Sequence, residues 1–325
     1  MIVDEIYGEF ELEPVLQDLI HSSPVQRLKG IHQGGASYLV NRAWNVTRFE
    51  HSVGVMLLIR RLKGSVEEQI AGLLHDVSHT AFSHVIDFVL DKESEDFHEE
   101  IFEETLVNSE IPSLLESYGY SIEQVIKGNY PLLEQPLPLL CADRVDYTLR
   151  DLYRYGYITR DEVDSFVSSL CVVNDVICIE GMKQAEWFVK SYYKEVQDFF
   201  MDPLNVYGYD RLIQLLREAL YLQVITKEDF LLQDEEVLAK VRTSESPELL
   251  KRYLEITSTV VLQENDKDYD IHLKGKPRLI DPTVIVKGQP YVSSEISNAI
   301  NEMNTRAEHR ARKGSYIKVK QKTRL

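Results

Sequence analysis

The segment IAGLLHDVSHTAFSHVID, residues 70–87, decides how the chain is read. Ile70, Leu73, Leu74 and Val77 recur at helical spacing, and Ser65 with Glu68 three residues on is the pattern of a helix N-terminus. The spacing predicts a buried helix that carries His75 and Asp76 late in its length, with His79 one turn further if the helix continues. Imidazole and carboxylate groups on so apolar a segment need partners, and a divalent ion satisfies both at once. His51 upstream in TRFEHS and Asp143 downstream in DRVDYTLRD complete a set of three or four candidate ligands. Such a mixed nitrogen and oxygen set suits Mn, Fe, Co, Ni, Zn or Mg, and an ion it wraps incompletely keeps positions for water and substrate.

For any one of these histidines, a satisfied core residue is the ordinary explanation. Together they argue differently. His51, His75, His79, His84 and His98 are five of the chain's nine histidines, and they fall in one helical stretch with Asp76 and Asp87. Burying so many polar groups without a function would be costly.

Away from this segment, 325 residues at 44% hydrophobic content are enough for one large domain or two closely joined ones. No apolar run approaches the ~20 residues of a membrane span. The opening MIVDEIYGEFELEP is acidic, unlike a signal peptide, so a cytoplasmic protein is expected. Cys141, Cys171 and Cys178 form no CxxC pair and predict neither a disulfide framework nor a thiolate zinc site. A net charge of −17 opposes sequence-independent binding to nucleic-acid backbones, so no obligatory nucleic-acid partner is expected. A phosphorylated substrate would have to be drawn in by local cations.

Helical spacing dominates from about Glu13 to Leu250, whereas residues 257–293 hold the short β-branched runs STVVL, PRLI and TVIVKGQPYV. The fold expected is mainly α: a helical core over residues 1–200, then a smaller C-terminal α+β lobe over 201–325. The Lys- and Arg-rich stretch from Arg306 onward reads as a solvated tail. Pro131, Pro136 and Pro138 interrupt the pattern before Asp143, so DRVDYTLRD should open a new helix.

VDEIYGEFELEP, SSPVQRLKGIHQGGASYLV, TRFEHSVGV, IAGLLHDVSHTAFSHVID, DFHEE and DRVDYTLRD occur in the order and local spacing of the HD-domain metal-dependent phosphohydrolases. The resemblance is to the branch with the bacterial dNTP triphosphohydrolases and the sterile-alpha-motif-and-HD dNTPase, and it covers roughly the first half of the chain. It implies an HD-domain helical core in which His51, His75, Asp76 and Asp143 bind the metal. It also implies a reaction site lined by His79, His84 and His98, with His84 protonating the leaving oxygen, Asp87 orienting it, and His79 at the phosphate nearest the broken bond. Gln33 and Asp151 would hold the sugar, while Arg48, Arg144 and Tyr147 would add donors to phosphate. Gly34 stands where the animal enzyme has a leucine beside the sugar.

The activity so implied is hydrolysis of a deoxynucleoside triphosphate to deoxynucleoside and intact triphosphate. An alternative is the same chemistry on a nucleoside monophosphate, cyclic nucleotide or other phosphoester. Another is a nucleotide-sensing regulator with little turnover. WFVKSYYKEVQDFFMDPLNVYGYDRL shows no arginine-rich counterpart of the family's phosphate-gripping helix, and its aromatic residues read first as core. The resemblance also implies a homo-oligomer. It begins almost at Met1, so control by a preceding module is not expected.

Overall fold

A computed structural model of the chain describes residues 1–92, 96–256, 259–274 and 277–320. The core is organised by two helices that follow each other through a short turn, Arg48–Arg61 and Val66–Leu74, and by Ala142–Arg154, which packs across the first of them. Thr47 and Glu50 form a reciprocal capping box that starts Arg48–Arg61. Ser65 caps Val66–Leu74 by accepting from the Glu68 backbone N–H at 3.1 Å. The Glu68 side chain turns away and accepts from the backbone of Leu132 and Leu133, which pins the proline-rich loop leading to Ala142–Arg154.

The sheets are small. At the N-terminus, β1 (Ile2–Asp4) and β2 (Gly8–Phe10) pair antiparallel. A second sheet is made of β3 (Leu170–Val173) and β4 (Val176–Glu180); a third of β5 (Val261–Glu264) and β6 (Ile271–Leu273). The second is extended by β7 (Thr283–Val286) and β8 (Gln289–Val292), and the third by β9 (Ser315–Lys320). The strand orders are β3-β4-β7-β8 and β5-β9-β6. Parallel pairing of β4 with β7 crosses the division expected at residue 200, and Ile280, Val284 and Ile300 join the same apolar core as Leu16, Leu57 and Leu149.

Three expectations need correction. PRLI forms no strand; it runs into the core as extended chain, with Ile280 fully buried. The basic stretch is not a frayed tail in its described part. It forms the helix Asn298–Lys313 and then β9, the middle strand of its sheet, with Ile317 and Val319 facing inward between Tyr316, Lys318 and Lys320. The helix predicted to carry the HD pair stops at Leu74, and residues 75–84 form a chain of turns. Tertiary partners hold that loop: Arg27 donates to the carbonyls of Val77 and His79, and the Phe230 carbonyl accepts from the Ala81 N–H.

Candidate metal centre and substrate cavity

His75 sits one residue past the end of its helix, where its Nδ1 donates to the Gly72 carbonyl at 2.8 Å. That bond fixes the ring, and the buried Nε2 is left without a hydrogen-bond partner. His51, in the first turn of Arg48–Arg61, is 1% exposed and donates from Nδ1 to Asp146 at 2.8 Å. Its Nε2 lies 3.0 Å from Asp143 and 3.8 Å from Asp76. The remaining distances are 3.4 Å from His75 Nε2 to Asp76 and 3.8 Å to Asp143. Four nitrogen and oxygen donors therefore converge from a helix start, a helix end and the first turn of Ala142–Arg154. His51, His75 and Asp76 offer ligand atoms within 4.8 Å of one another.

These residues fit a divalent ion. Burial works against a charged His51, but the carboxylates of Asp143 and Asp146 outweigh it and push the ring up to about 10. The pocket is rich in carboxylate, and a cation between His75 Nε2 and the carboxylates of Asp76 and Asp143, 3.4 and 3.8 Å away, would give that nitrogen the partner it lacks. Burial likewise opposes the Asp76 charge, but Arg48 at 2.8 Å, with His75 and His79, holds its carboxyl well below the usual range.

Behind the four donors runs a buried chain of charge that the sequence reading missed. Asp146 accepts from His51 and from Arg150 at 3.0 and 2.9 Å, and Arg150 reaches Asp4 at 3.0 Å. Asp4 in turn accepts from the backbone N–H groups of Ile6 and Tyr7, closing the turn between β1 and β2. The signal was present as Asp143, Asp146 and Arg150 at i, i+3 and i+7. Gly54 is required by this chain, because a Cβ there would lie 2.0 Å from Arg150 Nη2 and 2.1 Å from Asp146.

Next to the donors, three more imidazoles form a cluster. His79 stacks on His98 with ring centroids 3.9 Å apart, and His84 meets both edge-on. Burial and the Arg48 charge keep His79 neutral, and burial with His84 nearby pushes His98 down to about 4. His84 Nδ1 is 3.1 Å from Asp87, whose other oxygen accepts from the Phe97 N–H. A second unforeseen carboxylate, Asp234, staples this loop to the Gln33 turn by accepting from Phe82 N–H, His32 N–H and His32 Nδ1.

His79, His84 and His98 line a cavity of about 1060 Å³ with the four donors, Arg48, Gln33, Tyr147 and Asp151. Phe199, Phe200, Leu273, Lys274 and Arg278 also line it. Gln33 occupies a turn closed by the Gly35 N–H on the His32 carbonyl and donates to Asp151 at 3.4 Å. Gly34 has no room to grow, since a Cβ would meet Ser37 Oγ at 2.5 Å. Arg48 faces the cavity but is committed to Asp76 and Ser83. Arg144 does not reach the cavity: its guanidinium donates to the carbonyls of Leu139 and Gln135, capturing the proline-rich loop instead of phosphate. Of the aromatic residues in WFVKSYYKEVQDFFMDPLNVYGYDRL, Phe199 and Phe200 line the cavity, while Tyr192, Tyr193 and Tyr207 belong to the core.

The chain matches the HD domain family over residues 48–151. It is 34% identical to metal-dependent phosphohydrolase cns2 of Cordyceps militaris over 89% of this chain and 86% of that one. The chain belongs to the HD-domain metal-dependent phosphohydrolases. As a member it is a hydrolase that works with a divalent ion, and the His, His and Asp cluster fits the donor set of such a site. The uncharacterized protein YdhJ of Bacillus subtilis is 52% identical over 98% of both chains. SAMHD1, a deoxynucleoside triphosphate triphosphohydrolase of Gallus gallus, is 34% identical over 38% of this HD phosphohydrolase and 24% of its own length. Among the described residues, no helix is long and apolar enough to cross a membrane.

Proposed function

We propose that this HD phosphohydrolase cleaves the phosphoester of a nucleotide, with deoxynucleoside triphosphates as the first substrate class and deoxynucleoside plus intact triphosphate as products. One observation carries the reading: a single cavity joins the cluster of imidazoles and carboxylates to Gln33, Asp151 and the rings of Phe199 and Phe200. That combination offers phosphate chemistry at one end and groups for a sugar and a base at the other. The partial likeness to the SAMHD1 triphosphohydrolase supports the triphosphate class.

In this proposal His51, His75, Asp76 and Asp143 hold the ion, which supplies charge neutralisation and an acidified water. Asp146 orients His51, and the Gly72 carbonyl orients His75, so each presents Nε2. His84 donates a proton to the departing oxygen, with Asp87 fixing its ring, while His79, neutral and with Nε2 3.3 Å from Asp76, lies beside the reacting phosphate. Arg48 restrains Asp76 more than it binds phosphate.

A second reading, hydrolysis of a nucleoside monophosphate, is favoured by the cavity's charge. Beyond Arg48, the Lys and Arg residues lining it are Lys274 and Arg278, among the described residues. Both readings meet the same experiment. Metal-replete protein is incubated in parallel with Mn, Mg, Co, Ni and Fe(II) and each dNTP, rNTP, nucleoside monophosphate and cyclic nucleotide, and products are resolved by chromatography. Deoxynucleoside and triphosphate from wild type, absent with Asp76→Ala, are the expected result. Inorganic phosphate from a monophosphate alone would replace the substrate class, and no product from any nucleotide would overturn the proposal.

A further inference from the structure

Behind Asp151, which lines the cavity, lies a second acid, Glu195, that the proposed chemistry does not use. Asp151 is 1% and Glu195 0% exposed, and their carboxyls are in hydrogen-bonding contact. Asp151 Oδ2 accepts from Gln33 on the cavity side. Asp151 Oδ1 and both oxygens of Glu195 find no donor among ordinary protein groups. Two ionised carboxylates in such a place would repel each other in a medium that screens poorly, whereas one proton between them turns the repulsion into a hydrogen bond. Glu195 reaches this position through a widened turn: the Phe200 N–H bonds to the Glu195 carbonyl five residues back, within the π-helical stretch Lys194–Phe199.

We propose that Asp151 and Glu195 share a single proton, and that Glu195 is a positioning residue which, as the neutral partner, presents Asp151 to a sugar hydroxyl of the substrate. The sugar assignment rests on the nucleotide reading above; the shared proton does not. Burial raises both acids above the usual carboxylate range, and the Asp151 charge keeps the proton on Glu195. His51 faces the pair from Arg48–Arg61, Asp146 and Arg150 face it from Ala142–Arg154, Tyr155 faces it from just past the end of that helix, and Tyr157 acts on Glu195. His51 and Arg150 favour the Asp151 charge and Asp146 opposes it.

The sign of the pH effect follows. The folded pair holds a proton that the unfolded chain releases above the ordinary glutamate value, about 4.3. This contribution to stability is complete below that value and declines as pH rises. Glu195→Gln keeps a neutral donor without a titrating proton, and Glu195→Leu keeps bulk without a donor. The expected result is a melting-temperature advantage of Glu195→Gln over wild type that widens from pH 5 to pH 9. Kinetics with dATP and 2′,3′-dideoxy-ATP supply the second readout. Wild type and Glu195→Gln should share a preference for dATP, whereas Glu195→Leu should raise KM for dATP about tenfold, equivalent to about 1.4 kcal/mol, and lose the preference. A melting-temperature gap constant with pH would overturn the shared proton. A widening gap with an unchanged KM in Glu195→Leu would overturn the positioning role. If wild type neither binds nor cleaves dATP, the triphosphate class falls and the sugar assignment with it, and the gap still decides the proton.

Discussion

Around His51 each charge is answered by another: Asp143 at one ring nitrogen, Asp146 at the other, Arg150 behind Asp146 and Asp4 behind Arg150. Elsewhere in the lining of the same cavity, Gln33 and Asp151, with Glu195 buried behind Asp151, bring oxygens together with too few donors, and the wall cations come from the C-terminal lobe. The first region is organised before substrate arrives, as metal-assisted chemistry requires. The second has hydrogen-bonding capacity to offer to a ligand. In the proposed function catalysis falls to the first group of side chains and recognition to the second, although Asp143 and Asp151 share one helix, and changes in one group should separate from changes in the other.

The largest break in that comparison is Asp76→Ala. Turnover should fall below detection and bound metal should drop, read by product assay and by elemental analysis of the dialysed protein. Asp146→Ala touches no substrate, yet it strands Arg150 and His51; it should cost about 3–5 kcal/mol in denaturant unfolding. The same change should weaken metal affinity about 10–100-fold through His51. His84→Ala should lower kcat about 10²–10⁴-fold with metal content unchanged, which separates proton transfer from ion binding. At the recognition end, Lys274→Ala should raise KM for a triphosphate by roughly tenfold, about 1.4 kcal/mol, and leave kcat near wild type. Equal KM changes for triphosphate and monophosphate would show that Lys274 does not meet the distal phosphates. The smallest effect should come from Ser65→Ala, about 1 kcal/mol of stability from the lost cap, with kcat and KM intact.

The separation also explains what was legible in the sequence. The donor residues lie on short segments of unusual composition, so HD, TRFEHS and DRVDYTLRD announce themselves, and helical spacing around them is strong. The hairpin β3–β4 was legible and passed over: Asn174 and Asp175, both at positive φ, sit between apolar runs in VVNDVICIE. Asp234, Glu195 and Lys274 were not legible, because each acquires its role from a partner far away in sequence. Arg144 misled for the same reason, since its competing acceptors are backbone carbonyls that no side-chain pattern reveals. In β9 the lysines concealed an alternating pattern that the Ile317 and Val319 face makes plain.

That strand has a consequence for how the protein is made. Lys274 and Arg278 follow β6, and β6 is held in its sheet by β9, some forty residues later. A growing chain can assemble the helices around His51 while this wall of the cavity still has no sheet to hang on. The strand that anchors that wall emerges from the ribosome some forty residues after it. The order of synthesis therefore builds the reactive end first and keeps it open to solvent, so substrate capture should begin only once residues 315–320 have joined the fold.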